Sequence, residues 1–282
     1  PVTIQADASS TGLGACLMQE GQPVAFASRA LREPEKKWFQ IEKELLAIVF
    51  AAERFHQYIY GLEVDVQSDH KPLETITRKP IHNASPRIQL MLLKLMRYQL
   101  HVKYVPGAKL YVADTLSRAH PSACGPSDEF DTDMDMAIHS VVKSLPMSEK
   151  RLHVLREATK DDTALQELQD TMLKGWPKYR SAVPPNVRQY WNVRDELHEA
   201  EGLIFRVSRV VIPYMGRAEI LDKLHESHLG IDKCKARARA SMYWPKMNQD
   251  IEDKVAGCPT CNTHQRRQRR EPLIPHEVPS HP

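Results

Sequence analysis

The alternation of apolar and polar residues predicts strands and a long helix in the first third of the chain. The apolar segment VTIQA from Val2 and the alternating run VDVQSD from Val64 predict two strands, with Asp7 and Asp69 at their carboxyl ends. Residues 35–60 contain no Gly or Pro and repeat apolar side chains at helical spacing, which predicts a helix that carries Glu44. A short helix carrying Asp114 is expected after the turn PGA at Pro106.

The same patterns predict helices and a strand pair in residues 148–213, a segment we call the connector. Leucines recur at roughly helical spacing over residues 148–174, with an interruption at Lys160–Thr163 where DDT resembles the cap of a second helix. Residues 190–213 favour two strands joined by a turn at Glu201 and Gly202. Trp191 and Phe205 are interpreted as core residues, not as residues that stack on bases.

Residues 120–147, which precede the connector, are predicted to be an acidic flexible linker. Between His120 and Asp135 the chain carries five carboxylates and two prolines. Such a stretch buries too little apolar surface to order itself, and its charge repels a phosphate backbone. Nucleic acid is therefore expected to bind on either side of it.

Composition and charge limit the possible classes of function without choosing one. The chain has 282 residues, of which 41% are hydrophobic and 27% charged, as expected for globular protein of two domains. Its longest apolar run, from Leu45, is too short to span a bilayer, and a secretory signal is not evident. We expect an intracellular location, in a cytoplasmic particle or the nucleus, and no membrane partner. A net charge of +3 does not diagnose nucleic-acid binding.

Four carboxylates in four separate segments form a candidate metal site: Asp7, Glu44, Asp69 and Asp114. Hard cations prefer oxygen ligands, and two Mg²⁺ ions about 4 Å apart can stabilise both the attacking and the leaving oxygen of a phosphodiester. Spacing alone is weak support, because the chain has 36 acidic residues. Asp69 could simply end a strand, and Asp114 could simply favour a helix amino terminus.

The sequence motifs around these carboxylates are more specific evidence than the spacing of the carboxylates. In order, they are ADASSTGLGACLMQ from Ala6, EKELLAIVFAAERF from Glu42, SDHKPL from Ser68 and YVPGAKLYVADTLSR from Tyr104. Together they resemble the RNase H domain of gypsy-type LTR retrotransposon Pol polyproteins, over residues 1–119. The resemblance implies an α/β RNase H-like fold, with a mixed five-stranded sheet and helices. It also implies cleavage of the RNA strand of an RNA–DNA hybrid, with two Mg²⁺ ions or Mn²⁺, held by these four carboxylates.

Other residues near the quartet are interpreted with the alternatives in view. Glu42 competes with Glu44, but Glu44 directly precedes the LLAIV run, so Glu42 is expected on the solvent side. The loop before Asp114 lacks the histidine of many RNases H, and His101 is expected on the surface of a strand. We therefore expect slower turnover, not inactivity. Ser9, Ser10 and Ser28 are candidate contacts to the nucleic acid, although serines in such places more often form turns.

A histidine and cysteine set lies nearer the carboxyl end: His225, His228, Cys258 and Cys261. Two His and two Cys are a ligand set that tetrahedral Zn²⁺ prefers, and the pairs are brought together if the intervening helices fold back. LHESHLGI, YWPKM and CPTC resemble the zinc-binding amino-terminal domain of gypsy-type integrases, which we place at residues 214–265. Because protein fills all four positions, the ion would be structural. A reduced, metal-free surface set is the alternative.

Basic residues flank this predicted zinc domain. Lys233, Lys235, Arg237 and Arg239 form a predicted basic helix face. Residues 266–282 are a basic and Pro-rich tail that contains Arg266, Arg267, Arg269 and Arg270. These arginines are candidate contacts to DNA phosphates, with a nuclear-import signal as the alternative.

Two functions remain open from the sequence. In the first, the chain is the RNase H and integrase zinc-binding segment of a Pol polyprotein. Its partners would be RNA–DNA hybrid, DNA and the rest of Pol, including the polymerase and the integrase core. In the second, the chain is a catalytically silent or host-adopted remnant that binds nucleic acid through its zinc domain. A start without Met leads us to expect a fragment of a longer protein.

Overall fold

The amino-terminal part of the chain is built on a mixed five-stranded sheet. The structure is a computed structural model that describes residues 2–78, 80–120 and 129–264. The strands are β1 Val2–Ala8, β2 Gly12–Gln19, β3 Gln22–Ala30, β4 Glu63–Ser68 and β5 Gln99–Tyr104. Their order is β3-β2-β1-β4-β5. β1, the central strand, pairs antiparallel with β2 and parallel with β4, so the sheet is mixed. This is the RNase H-like fold expected from the sequence.

Within residues 2–78 and 80–120, six α-helices accompany this sheet. They are α1 Glu33–Lys36, α2 Gln40–Arg54, α3 His56–Ile59, α4 Lys71–Ile76, α5 Pro86–Leu95 and α6 Tyr111–Arg118. The long predicted helix is α2 and the short α3 that follows it, and its apolar stripe is buried against β1 and β2. Leu45 and Ala52, for example, have no solvent exposure. α2 therefore holds Glu44 against the sheet.

The expectation that Glu42 faces solvent is wrong. Only 1% of Glu42 is exposed, and its carboxylate accepts hydrogen bonds from the Phe39 backbone N–H at 3.2 Å and from Arg87 Nη1 at 3.2 Å. The first bond caps the start of α2, where backbone N–H groups lack partners. The second comes from α5, 45 residues further along the chain. A helix end and a distant arginine together keep this charge buried.

The predicted flexible linker is wrong for residues 129–143, which form helix α7, Glu129–Lys143. Its apolar residues occur every four positions between the acidic ones, so one face can be buried. Met134 packs into the core of the amino-terminal sheet, whereas Ile138 and Val142 pack into a second core. Lys94 Nζ of α5 also lies 3.9 Å from the centroid of the Phe130 ring. Asp133 and Asp135 are exposed, so their charges do not oppose this packing.

The connector folds much as predicted. It contains α8 Glu149–Asp161, α9 Thr163–Lys174, β6 Leu197–Ala200, β7 Leu203–Arg206 and β8 Arg209–Val211. Asp162 caps α9, since its side chain accepts from the backbone N–H groups of Ala164 and Leu165. Glu201 and Gly202 form the β6–β7 turn with φ of 50° and 79°, a left-handed geometry that favours glycine. Phe205 is fully buried, but Trp191 is only half-buried.

Four helices and one short strand complete the carboxyl-terminal part. They are α10 Tyr214–His225, α11 Ile231–Ser241, β9 Met242–Tyr243, α12 Met247–Ala256 and α13 Pro259–His264. β9 pairs parallel with β8, so the small sheet has the order β6-β7-β8-β9. Trp244 is fully buried between the sheet and these helices. Residues 2–78, 80–120 and 129–264 include no helix both long and apolar enough to cross a membrane.

The connector also packs against the amino-terminal part. Phe39 shares a hydrophobic cluster with Leu165, Leu168 and Met172 of α9. Arg87 Nη1 donates to the Glu199 carbonyl oxygen at 3.3 Å, across the same interface. The two parts therefore meet next to the residues that begin α2.

Candidate metal centres

Three of the four predicted carboxylates meet at the carboxyl ends of β1 and β4, two adjacent strands of the five-stranded sheet. Asp7 is the penultimate residue of β1, Asp69 directly follows β4, and Glu44 lies on the buried side of α2. β1 and β4 are parallel and pair Gln5 with Gln67, so the same register places Asp7 beside Asp69. Oxygens of these three carboxylates all lie within 4.8 Å of one another. The cluster suits a divalent cation in both charge and donor type.

Neighbouring side chains fix the two inner carboxylates. Ser117 Oγ of α6 donates to Asp7 Oδ2 at 2.8 Å. Gln40 Nε2 donates to Glu44 Oε1 at 2.6 Å and to the Ala8 carbonyl oxygen at 3.0 Å. Glu44 Oε2 is buried and has no hydrogen-bond partner among the described residues. An orphaned carboxylate oxygen that faces two other carboxylates fits a metal ligand.

The electrostatics of the cluster favour binding of positive charge. Burial raises the pKa of Glu44 well above its ordinary value, and the charges of Asp7 and Asp69 raise it further. Burial is also the main cause that raises the pKa of Asp7, against the hydrogen bond from Ser117. The pKa of Asp69 is raised by burial and then by the charge of Asp114. A divalent cation would remove this repulsion.

Asp114, the fourth predicted carboxylate, is close to the cluster but outside it. It lies on α6 with 44% of its side chain exposed, and its Oδ1 pairs with Arg118 Nη2 at 2.5 Å. Gly14 of β2 allows α6 to approach this closely, since a Cβ at Gly14 would be 2.2 Å from the Ala113 carbonyl oxygen. The approach also positions Ser117, which the sequence reading missed. Its spacing of i+3 from Asp114 on an amphipathic helix was the available signal.

The candidate serines hold the end of α6 or lie exposed. Ser9 Oγ donates to the Ser117 carbonyl oxygen at 2.7 Å, and Ser28 Oγ donates to the Ala119 carbonyl oxygen at 3.4 Å. Ser10 is exposed at the β1–β2 turn. Their contact with nucleic acid stays a prediction. His101 is exposed on β5, as expected.

The histidine and cysteine set comes together as predicted. His225 ends α10, His228 follows with a left-handed φ of 47°, and the two cysteines lie at the start of α13. Their four donor atoms all lie within 4.8 Å of one another. Cys261 Sγ is 3.3 Å from His225 Nε2, and Cys258 Sγ is 3.4 Å from His228 Nδ1. Tetrahedral zinc with ordinary bond lengths separates N and S ligands by about 3.5 Å, so the set fits Zn²⁺.

The chemistry of one of the two thiols, that of Cys258, favours metal binding, since a ligand cysteine must lose its proton. Hydrogen bonding, first from the Cys261 backbone and then from His225, lowers the pKa of Cys258 to about 6. Burial is the main cause that raises the pKa of Cys261. Cys16 is buried in β2, far along the chain from this set, whereas Cys234 is buried in α11, and its charge is one of the causes that raise the pKa of Cys261.

The predicted basic face is only partly available. Lys235 pairs with Glu252, and the Arg239 guanidinium donates to Asn248 Oδ1 at 2.9 Å. Lys233 and Arg237 are exposed on α11. The four tail arginines lie outside the described residues: Arg266, Arg267, Arg269 and Arg270.

Two family models match the chain, one at each end. Residues 1–98 match the RNase H-like domain found in reverse transcriptase, and residues 212–267 match the integrase zinc binding domain. The second match covers all four ligands of the histidine and cysteine set. The resemblance identified from the sequence motifs is confirmed for both domains.

Similar proteins include Retrovirus-related Pol polyproteins from transposons of Drosophila melanogaster. The chain is 32% identical over 157 residues to that of transposon gypsy, and 39% identical over 112 residues to that of transposon 297. These alignments cover 55% and 40% of this chain but only 15% and 10% of the relatives. A solved structure titled as LC11-RNase H1 in complex with RNA/DNA hybrid is 17% identical, with a TM-score of 0.35, and the match covers 43% of this chain and 96% of that one.

Proposed function

We propose that this chain, with its RNase H-like domain and its integrase zinc-binding domain of a retrotransposon Pol polyprotein, is a nuclease that hydrolyses RNA in RNA–DNA hybrids. The observation that carries the proposal is the cluster of Asp7, Glu44 and Asp69, with its orphaned Glu44 oxygen. The substrate class rests on the family match to the RNase H-like domain.

The three carboxylates of the cluster would have different roles because they differ in burial. Asp7 and Glu44 are buried and fixed by Ser117 and Gln40, so they would hold cations without rearrangement. Asp69 is the most exposed of the three carboxylates and would face the scissile phosphate. Two Mg²⁺ or Mn²⁺ ions, when bound, would polarise the phosphate and lower the pKa of the attacking water. Cleavage would leave a 3′-hydroxyl and a 5′-phosphate.

Asp114 would complete the quartet only after its ion pair with Arg118 opens. Both side chains are substantially exposed, so the pair is worth little, about 0–1 kcal/mol. A substrate phosphate near Arg118 would offer the guanidinium an alternative partner. Binding of substrate and recruitment of Asp114 would then support each other.

The decisive experiment is cleavage of a labelled RNA–DNA hybrid with Mg²⁺ by the purified chain. Asp7→Asn removes a charge from the cluster and should abolish cutting. Asp65→Asn makes the same chemical change on β4, at a residue paired with Lys103 at 2.6 Å, and should leave the rate almost unchanged. If the folded, zinc-loaded parent does not cut, the alternative of a silent nucleic-acid-binding module gains support. Equal cutting by all three proteins would point to a contaminant.

We infer that the zinc domain is a folding unit and a DNA contact, not a second active site. Its four ligands would fill a tetrahedral Zn²⁺, which leaves no position for water. Lys233 and Arg237, with the tail arginines, would bind phosphates of DNA. Because the chain spans between a tenth and a third of its Drosophila relatives, the polymerase and integrase core are proposed as its partners within a longer Pol polyprotein.

A further inference from the structure

A cavity of about 630 Å³ lies where the connector faces the carboxylate cluster. Asp69 and His70 line one side of it, and Trp176, Trp191 and Arg194 line the other. Its volume lies within the roughly 300–1,000 Å³ of ordinary ligand sites. The connector thus forms a second wall for the opening of the proposed nuclease site.

The connector comes close to the cluster at Gly175. This residue ends α9 with a φ of 90°, a left-handed conformation in which a side chain would be strained. A Cβ placed on Gly175 would already lie 3.6 Å from Cβ and Cγ of Gln40. Gln40 is the residue that donates to Glu44, so one side chain separates the connector from the cluster.

Two tryptophans present aromatic surface to the cavity. Trp176 and Trp191 have ring centroids 6.0 Å apart and planes at 75°, so they form an edge-to-face pair. Both are half-buried, whereas the remaining tryptophans, Trp38 and Trp244, are buried. Half-buried aromatic rings beside a phosphate-directed metal site provide the stacking surface that single-strand binding proteins use.

The cavity also carries more cations than anions. Lys71, Lys178 and Arg194 line it, against the carboxylates of Asp69 and Asp195. The Arg194 guanidinium carbon lies 4.2 Å from the centroid of the Trp191 ring, and its Nη1 donates to the Trp191 carbonyl oxygen at 2.8 Å while its Nε lies 3.6 Å from Asp195 Oδ1. Metal binding at Asp69 would make the balance more positive. Phosphates are the anions that this combination of cations and aromatic rings suits best.

We propose that this composite cavity binds an unpaired segment of nucleic acid, RNA or DNA, next to the cleavage site. A base would stack on Trp191 and its phosphates would approach Lys71, Lys178 and Arg194. Duplex does not fit this chemistry, because its bases are already stacked inside the helix and cannot reach the indole rings. The inference rests on the proposed nuclease function, since it names where a strand enters or leaves that site.

The test uses the full chain with Asp7→Asn, which binds without cutting. Fluorescein-labelled 12-nucleotide strands of uridine or thymidine are titrated at physiological salt, with anisotropy and tryptophan fluorescence as readouts. Trp191→Leu should weaken binding at least about fivefold and reduce the quenching. Arg194→Gln, a milder change at a partly exposed residue, should also weaken binding. Lys150→Gln, at an exposed position on α8 outside the cavity, is the matched control and should bind like the parent.

The outcomes separate this inference from the nuclease proposal. Weaker binding of either strand by the Trp191 and Arg194 variants, but not by the Lys150 variant, supports the cavity even if hybrid cutting fails. Parental affinity and quenching in folded Trp191→Leu and Arg194→Gln overturn the inference, even if cutting succeeds. Tighter binding of hybrid than of single strands, equally weakened by Trp191→Leu, would also overturn it in favour of duplex contact. Faster cutting by Trp191→Leu would identify the connector as an obstruction and refute the proposal.

Discussion

Replacing Glu44 by Gln should stabilise the metal-free protein while it abolishes Mg²⁺-dependent cleavage. The carboxylates of Asp7, Glu44 and Asp69 lie within 4.8 Å of one another. One unit-charge pair at that distance costs about 0.9 kcal/mol at a dielectric constant of 80 and about 3.5 kcal/mol at 20. The Glu44→Gln substitution would remove two such repulsions, keep the bond from Gln40 and offer an amide N–H to Asp7. We expect a net gain of about 1–2 kcal/mol, because other costs of the substitution offset part of the relief.

Thermal unfolding in Mg²⁺-free buffer at pH 7.5 measures this gain, at about 2–4 °C for each kcal/mol in a chain of this size. Saturating Mg²⁺ should then stabilise the parent but not Glu44→Gln, so the order of the two Tm values should reverse. The pH dependence has a definite sign. The folded pKa of Glu44 is raised, so the penalty is present above that pKa and fades as the pH falls through it. The advantage of the variant should therefore shrink at pH 4.5.

Glu42→Gln is the matched control, because it makes the same change on the same helix two residues earlier. There the carboxylate pairs with Arg87, whose side chain is 11% exposed, so its loss leaves a nearly buried guanidinium without a counter-charge. We expect a destabilisation of about 3 kcal/mol, opposite in sign to the effect at Glu44. Should both variants lose stability without Mg²⁺, or should Mg²⁺ raise all Tm values equally, the repulsion argument would be refuted.

Three further perturbations test other parts of the structure. Chelation of Zn²⁺, or Cys258→Ser, should lower the Tm of the carboxyl-terminal part and reduce its helical circular dichroism signal. An unchanged spectrum would contradict a structural zinc. Gly14→Ala should destabilise the protein by at least about 1–3 kcal/mol, because the new Cβ would meet the Ala113 carbonyl oxygen, and urea unfolding measures the loss. Burial lowers the pKa of His198 to about 3, so the protein should lose stability as the pH falls from about 6.5 towards 3. His198→Phe, which can stack like the parent ring on Phe205, should weaken that acid sensitivity, and an unchanged pH profile would exclude His198 as its source.

The residues of both candidate metal centres could be proposed from the sequence, because short local motifs contain them. A carboxylate at the end of each of two strands and one on the apolar side of a helix were enough to anticipate Asp7, Asp69 and Glu44. The parallel pairing of β1 with β4, which puts the first two side by side, came only from the fold. The exposure of Asp114 and its pair with Arg118 also depend on how closely α6 packs against β2. Gly14 of β2 permits this close packing, which the motif VADTLSR does not reveal.

The errors share a physical cause, which is a partner distant in sequence. Glu42 looked like a solvent-side residue because Arg87 lies 45 positions away and cannot be inferred from the helix pattern. Residues 128–135 were predicted to be a flexible linker because they contain many carboxylates and few apolar residues. Met134 is nevertheless buried in a core that other segments of the chain form. The cavity between Asp69 and Trp191 is likewise invisible in the sequence, since it depends on the docking of the connector.

The position of α7 has a consequence for how such modules are inherited. Met134 belongs to the core that supports the carboxylate cluster, whereas Ile138 and Val142 belong to the second core, which Cys261 of the candidate zinc centre also contacts. A recombination breakpoint before this helix would remove Met134 from the first core and leave a cavity there. A breakpoint after the helix would remove Ile138 and Val142 from the second core. Lineages that exchange either module without its half of α7 would have to repack a core. Selection should therefore favour co-transmission of the two modules as one block.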